Sequence, residues 1–158
     1  MKKNNSPFVI WSVLGIILGY IGIFRSLRRA DPEILSGLVF PAGFPTKTGL
    51  LVIWGILFFI WAAGCYFVFS VNISPRRSRN IFLNGLILVI GIFVWNYMVF
   101  CAVNLPGALA VSIAVLILSV VIWFMYLVTH RYGGYLFTSM IIWQLYMLYL
   151  SVALVVKN

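Results

Sequence analysis

Acidic side chains are nearly missing from this 158-residue chain: Asp31 and Glu33 are the only two, against eleven lysines and arginines. Histidine occurs once, as His130, and cysteine twice, as Cys65 and Cys101. These three residues have no metal-ligand spacing, so the expectation is no metal, no cofactor and two packed thiols inside spans. The chain has no carboxylate pair, no glycine-rich phosphate loop and no nucleophile elbow. Its long apolar runs hold no acid, base or cation. Proton relays and ion-coupled transporters place ionisable groups at such depths, and general acid–base catalysis requires them. No catalytic residue is expected, and the protein is read as not an enzyme. The net charge of +9 sits at the ends of the apolar runs. It forms no basic stripe on a folded surface, which excludes a nucleic-acid partner.

Long uncharged runs fill the chain instead. Hydrophobic residues make up 64% and charged residues 8%, and the mean hydropathy is +1.12, which no soluble domain of this size approaches. Runs of roughly 20 residues, enough to cross the hydrocarbon core, fall at 7–24, 49–71, 81–103, 108–129 and 135–156. Hydrocarbon offers the backbone no partner, so each run must be helical. The predicted fold is all-α: a polytopic five-transmembrane-helix bundle, one integral membrane domain over residues 1–158, with the bilayer as its partner.

MKKNN before the first run resembles a signal peptide, but the run ends in GIFRSLRR rather than at a small-residue cleavage site, so a retained helix is expected. Five spans put the termini on opposite sides. One side then holds Lys2, Lys3, Arg76, Arg77, Arg79 and Arg131, the other Arg25, Arg28, Arg29, Lys47 and Lys157. The dense loop PRRSR favours the N-terminus inside, and the plasma membrane of a prokaryote is the expected location. The first connection is the longest. ADPEILSGL reads as a short helix with Asp31 as N-cap, Pro32 and Glu33 in its first turn and Gly37 as its stop. FPAGFP then forces an extended path. That loop either forms a lid or simply closes one end. The links SPRRSRN, NLPG and HRYGG are short, which predicts antiparallel neighbours in sequence order.

Aromatic and amide residues recur within the spans at helical spacing. Trp54, Phe58, Trp61 and Cys65 share a face of span two; Leu88, Ile92, Trp95 and Asn96 share one of span three; Trp143, Gln144, Met147 and Ser151 share one of span five. Amides facing lipid are costly, so Asn96 and Gln144 are expected to point inward. In span four the middle is aliphatic, and Trp123 and Tyr126 near its end read as an interfacial belt. The stripes fit two arrangements. They are packed helix interfaces, or they line a cavity with a few polar anchors suited to a flat apolar ligand.

The order of these features resembles the TspO/MBR family, the translocator or tryptophan-rich sensory proteins, from about Gly43 to Asn158. FPTKTGLLVIWGILF offers Pro45, Trp54 and Leu57-Phe58 where the family has Trp-x-Pro-Pro, Trp and Leu-Tyr. LVIGIFVWNYMVF keeps Trp95 and Phe100 in register, GALA stands before span four, and the last span keeps Trp143, Leu150 and Asn158. Much of the family's polar signature is absent. Its Trp falls on Gly43, its second Pro on Thr46, its span-three Gln and Asn on Leu88 and Ile92, its Pro-Tyr on Ser139-Met140 and its last Asn on Ser151. The resemblance implies a five-helix bundle, often a homodimer, whose pocket opens toward the first loop. It also implies binding of porphyrins, other tetrapyrroles or sterol-like molecules, in transport or sensing; porphyrin breakdown has been claimed for some members.

Two functions follow as expectations. As a receptor or carrier, the chain binds a flat hydrophobic ligand among Trp54, Phe58, Trp61, Trp95, Asn96, Trp143, Gln144 and Met147, with Arg25, Arg28 and Arg29 at the cavity mouth meeting ligand carboxylates. As an assembly protein, it packs these stripes solid and binds nothing.

Overall fold

The computed structural model describes residues 6–30 and 36–158. Five helices carry them: α1 Ser6–Arg29, α2 Lys47–Ser70, α3 Pro75–Phe100, α4 Leu105–Thr129 and α5 Arg131–Lys157. All five are long and apolar enough to cross a membrane, and the chain is an integral, multi-pass membrane protein. Each helix starts before its expected span because the polar flanks join it, while α2 and α3 end at Ser70 and Phe100, short of the expected 71 and 103. Ser74 caps α3 by accepting from the Arg77 N–H at 3.3 Å, with Pro75 at its start, so PRRSR is the first turn of a helix and not a loop. Thr46 caps α2 through the Gly49 N–H at 3.0 Å, and Asn104 caps α4 through that of Gly107 at 3.0 Å. Each cap satisfies a donor that hydrocarbon would leave bare. Cys101 lies just past the end of α3, not inside the span. The short helix expected at Asp31, Pro32 and Glu33 lies outside the described residues, as do Lys2 and Lys3.

Packing runs around a ring in the order α1, α2, α5, α4, α3 and back to α1. The expected pairing of sequence neighbours therefore fails at one link. Only Val71–Ser74 separate α2 from α3, yet the two do not pack along their lengths. Phe8 of α1 wedges between them, stacked on Phe69 at 5.8 Å and tilted against Phe82 at 6.1 Å. Up-down alternation in a ring of five leaves one pair of parallel neighbours, and that pair is α1 and α3. Their approach is close because Gly19 of α1 lies directly against the Val89 side chain, so the Gly15-x-x-x-Gly19 pattern is spent inside the protomer.

The two ends of the bundle differ. At one end lie the first loop and the C-termini of α1, α3 and α5. At the other, α2, α4 and α5 converge on Gly133 and Gly134, whose missing side chains admit Val68 and the Leu127 backbone. Large apolar residues such as Phe59, Phe124 and Ile142 project outward, as expected of helices solvated by lipid.

Candidate functional site

The inner faces of α2, α3 and α5 meet where the stripes predicted. On α2, Trp54, Phe58 and Trp61 are all buried and form a ladder with ring centroids 5.5 and 6.1 Å apart. On α3, Trp95 and Asn96 are buried, while Tyr97, next in FVWNYMVF, is half exposed on the outer face. On α5, Gln144 and Met147 are buried and Trp143 partly so, its ring edge-on to Trp54 at 5.8 Å.

Four of the eight proposed wall residues surround one void. Trp54, Trp95, Gln144 and Met147 enclose it together with Ile92, Ser112 and Val115, and its volume is about 10 Å³, room for roughly one water molecule. Phe58 packs instead on Tyr20 at 6.5 Å. Trp61 belongs to a separate polar cluster near the opposite end, where its indole N–H donates to the Tyr126 hydroxyl at 3.0 Å and Cys65 Sγ sits 3.1 Å from the same oxygen. Tyr126 is thus a core residue and not part of an interfacial belt. It continues the buried stripe Ser112, Val115, Ser119, Ile122 of α4, a helical phase that near-terminal position had masked.

Hydrogen bonding around the void is uneven. Trp95 Nε1 donates to Ser151 Oγ at 2.8 Å, and that hydroxyl donates onward to the Met147 carbonyl at 2.8 Å. Asn96 gives its amide to the Ile92 carbonyl at 2.8 Å. Gln144 Nε2 reaches only the Met140 sulfur at 3.8 Å, a weak acceptor. Among the described residues five buried side-chain atoms have no partner, and three of them lie on the α2, α3 and α5 stripes: Trp54 Nε1, Trp143 Nε1 and Asn96 Oδ1. Each such atom costs about 1–3 kcal/mol in a dry interior, and orphaned groups of this kind are uncommon enough to ask what they are for.

Above the void, the first loop folds over the bundle end and is held by α5. Asn158 accepts from the Val39 N–H at 2.8 Å and returns a bond to its carbonyl at 3.2 Å, while the Tyr146 hydroxyl donates to the Gly43 carbonyl. Gly43 adopts φ +85°, where a side chain is strained. Phe40 and Phe44 lie tilted against each other at 4.6 Å, and Phe44 meets Phe100 edge-on at 6.2 Å. These rings, with Pro45, Lys47 and the loop backbone, line an open pocket of about 480 Å³, within the range of small-molecule sites. Phe100 forms its floor and lies 6.4 Å from Trp95, so two aromatic rings separate pocket from void. Lys47 is the cation on this pocket, donating to the Ala30 carbonyl at 3.2 Å. Arg25, Arg28 and Arg29 are exposed at the end of α1 and do not line it; Arg28 lies over the Phe24 ring at 4.6 Å. Beside them, burial pushes the Cys101 thiol up while the Arg29 charge partly offsets it.

Five apolar spanning helices, a tryptophan-lined seam and a loop folded over its end stand together with a sequence match. The model of the TspO/MBR family matches residues 8–156. The chain belongs to the TspO/MBR family. No curated protein matches the chain. At the positions where the resemblance places the polar signature of TspO/MBR proteins, this chain carries residues with structural work. Gly43 stands at the tryptophan position, where the backbone is left-handed. Thr46 stands at the second proline position and caps α2. Leu88 and Ile92, at the glutamine and asparagine positions, are fully buried. Ser151, at the final asparagine position, holds the Trp95 indole. The α4 residue Ser112 and the loop residues Phe40, Phe44 and Lys47 escaped the sequence reading; helical phase pointed to Ser112, while nothing local marked the loop residues.

The lid contact gives a direct expectation. Asn158→Ala removes both bonds to Val39 and is expected to raise amide hydrogen exchange across residues 39–44 by about tenfold, the effect of roughly 1.4 kcal/mol. Exchange elsewhere in the bundle should hold. Unchanged protection at Val39 would show that Asn158 does not fasten the loop.

Proposed function

We propose that this TspO/MBR protein is a membrane receptor or carrier for a flat, apolar ligand of the tetrapyrrole class, admitted beneath the first loop and seated against the aromatic seam. The observation that carries this reading is the buried Trp54 N–H without a partner, on the wall of a void shared by Trp95 and Gln144. A donor left bare in the interior becomes favourable once a ligand acceptor meets it. Gln144, tied only to sulfur, and Asn96, with a free carbonyl oxygen, supply further anchors. Carboxylates of such a ligand would meet Lys47 at the loop pocket rather than the arginines of α1. The void must widen for the ligand to enter, and movement of Phe44 and Phe100 provides the route. The proposed role is binding without catalysis, in the plasma membrane of a prokaryote, with the bilayer and a second copy as partners and no nucleic acid.

A second reading is favoured by the small size of the void. On it the seam is packed solid and the protein serves in membrane assembly.

Trp54→Phe separates them. It keeps most of the packing and removes the orphan N–H, so the stability of the free protein should change by less than about 1 kcal/mol, the two effects opposing each other. Ligand affinity should fall about tenfold. If the variant binds protoporphyrin IX as tightly as the parent, Trp54 is not an anchor and the assembly reading gains.

A further inference from the structure

The parallel pair α1 and α3 does not close its seam on the lipid side. Gly15, Gly19 and Gly22 let α1 approach Leu86, Val89 and Phe93 closely, and a groove of about 320 Å³ follows that line. Its lining is wholly apolar and carries no charge. At the Gly15, Leu86 and Val89 end the groove shares its walls with a second, enclosed cavity that reaches inward to Ser12, Cys65 and Tyr126. There the Tyr126 hydroxyl accepts from Trp61 and neighbours Cys65 Sγ, and Ser12 lines the same cavity. An apolar trench therefore ends in a cluster of neutral polar groups.

Depth decides what suits it. Ser12 is the seventh residue of α1 and Cys65 the sixth from the end of α2, so at 1.5 Å per residue both lie about 9 Å inside the helix ends. From there the trench runs toward the middle of α1. That is the layout of a lipid in one leaflet, with its polar group near the headgroup region and its tail toward the midplane. The inner cavity holds about 10 Å³, enough for a hydroxyl and too little for a larger head. No cation lines either cavity, and an ionised head would be buried without a counter-charge.

We propose that the α1–α3 seam binds one uncharged, single-chain amphiphile, its terminal hydroxyl among Ser12, Cys65 and Tyr126 and its chain in the trench from Gly15 to Gly22. The site shares no wall residue with the Trp54–Trp95 void, so it does not depend on the tetrapyrrole reading.

The test uses the purified full chain, titrated with oleyl alcohol, whose head is a single hydroxyl, and, separately, with oleate at a pH where it is ionised. Thermal stability and native mass spectrometry are read together. One oleyl alcohol should remain bound, with a saturable rise in stability, and oleate should give neither. A Cβ at Gly15 meets only Leu86, at 3.7 Å, so Gly15→Leu fits the backbone and fills the junction; it should weaken binding at least tenfold. Ser12→Ala, which leaves the junction open, should weaken it several-fold, and Trp54→Phe should leave it unchanged. Equal binding by oleate, equal binding in both Gly15→Leu and Ser12→Ala, or no saturable stabilisation in the parent would overturn the proposal. So would a dimer that Gly15→Leu dissociates without any lipid effect, since a second copy would then occupy the seam.

Discussion

Gly134→Val should lower the thermal midpoint by about 10 °C or abolish the native bundle. Even a single carbon added at Gly134 falls 2.9 Å from Leu127 Cα and closer still to that side chain. The Leu127 side chain could rotate away, but its backbone cannot, because α4 and α5 are joined through His130 alone. Overpacking a rigid contact costs about 3 kcal/mol or more, and each kcal/mol is worth about 2–4 °C in a chain of this size. Neighbouring Gly133 faces Val68 and the Gly64 carbonyl at the α2 crossing, so α5 has no free direction in which to shift. Thermal denaturation in detergent, followed by size-exclusion profile, reads the effect. A midpoint within 2 °C of the parent would mean that α4 and α5 cross less closely than described.

Trp95→Ala should lose about 3 kcal/mol and regain part of it when indole is added. Large-to-small changes at buried tryptophans cost about 3–5 kcal/mol in water-soluble cores. In a bilayer the transfer contribution shrinks, because lipid is as apolar as the interior, and lost dispersion contacts dominate. The low end of the range therefore applies. Trp95 is 3% exposed and walls the void with Trp54 and Met147, so the deletion merges the side chain's space with that void. Ser151 remains as the acceptor for an incoming indole N–H, since its own proton goes to the Met147 carbonyl. Apolar cavities of engineered size stay dry and take up small aromatics. Saturable restabilisation by indole in Trp95→Ala, absent in the parent, is the expected pattern. No destabilisation would place Trp95 outside the packed core.

The spans were legible because a bilayer imposes length and hydropathy on every crossing helix, and few other folds satisfy both. The faces of α2, α3 and α5 were legible for a related reason: an amide such as Asn96 or Gln144 cannot rest in lipid. Neighbour order was legible at three of its four links and failed between α2 and α3. Loop length sets direction, but the insertion of Phe8 between α2 and α3 depends on how rings fit, which no local pattern encodes. Periodicity likewise grouped Trp61 with Trp54, two turns apart on one stripe. It cannot tell that one helix face crosses two different partners along its length, with Trp61 turned to Tyr126 and Trp54 to Trp143 and the void. The cation at the loop pocket was misassigned to the α1 arginines because proximity in sequence to the loop does not fix which end of it closes over the bundle. Lys47, at the start of α2, is carried there by the turn at Gly43.

The most direct measurement is a titration of the detergent-solubilised protein with protoporphyrin IX, following tryptophan fluorescence and thermal stability in the same samples. A ligand bound to the folded state alone must raise apparent stability, by about 2.7 kcal/mol at a hundredfold excess over Kd. Saturable quenching at a defined stoichiometry, with a matching rise in the midpoint and both effects weakened in Trp54→Phe, is the predicted result. Linear quenching with no stabilisation would mean partition into the detergent, and would leave Trp54, Trp95 and Trp143 as packing alone.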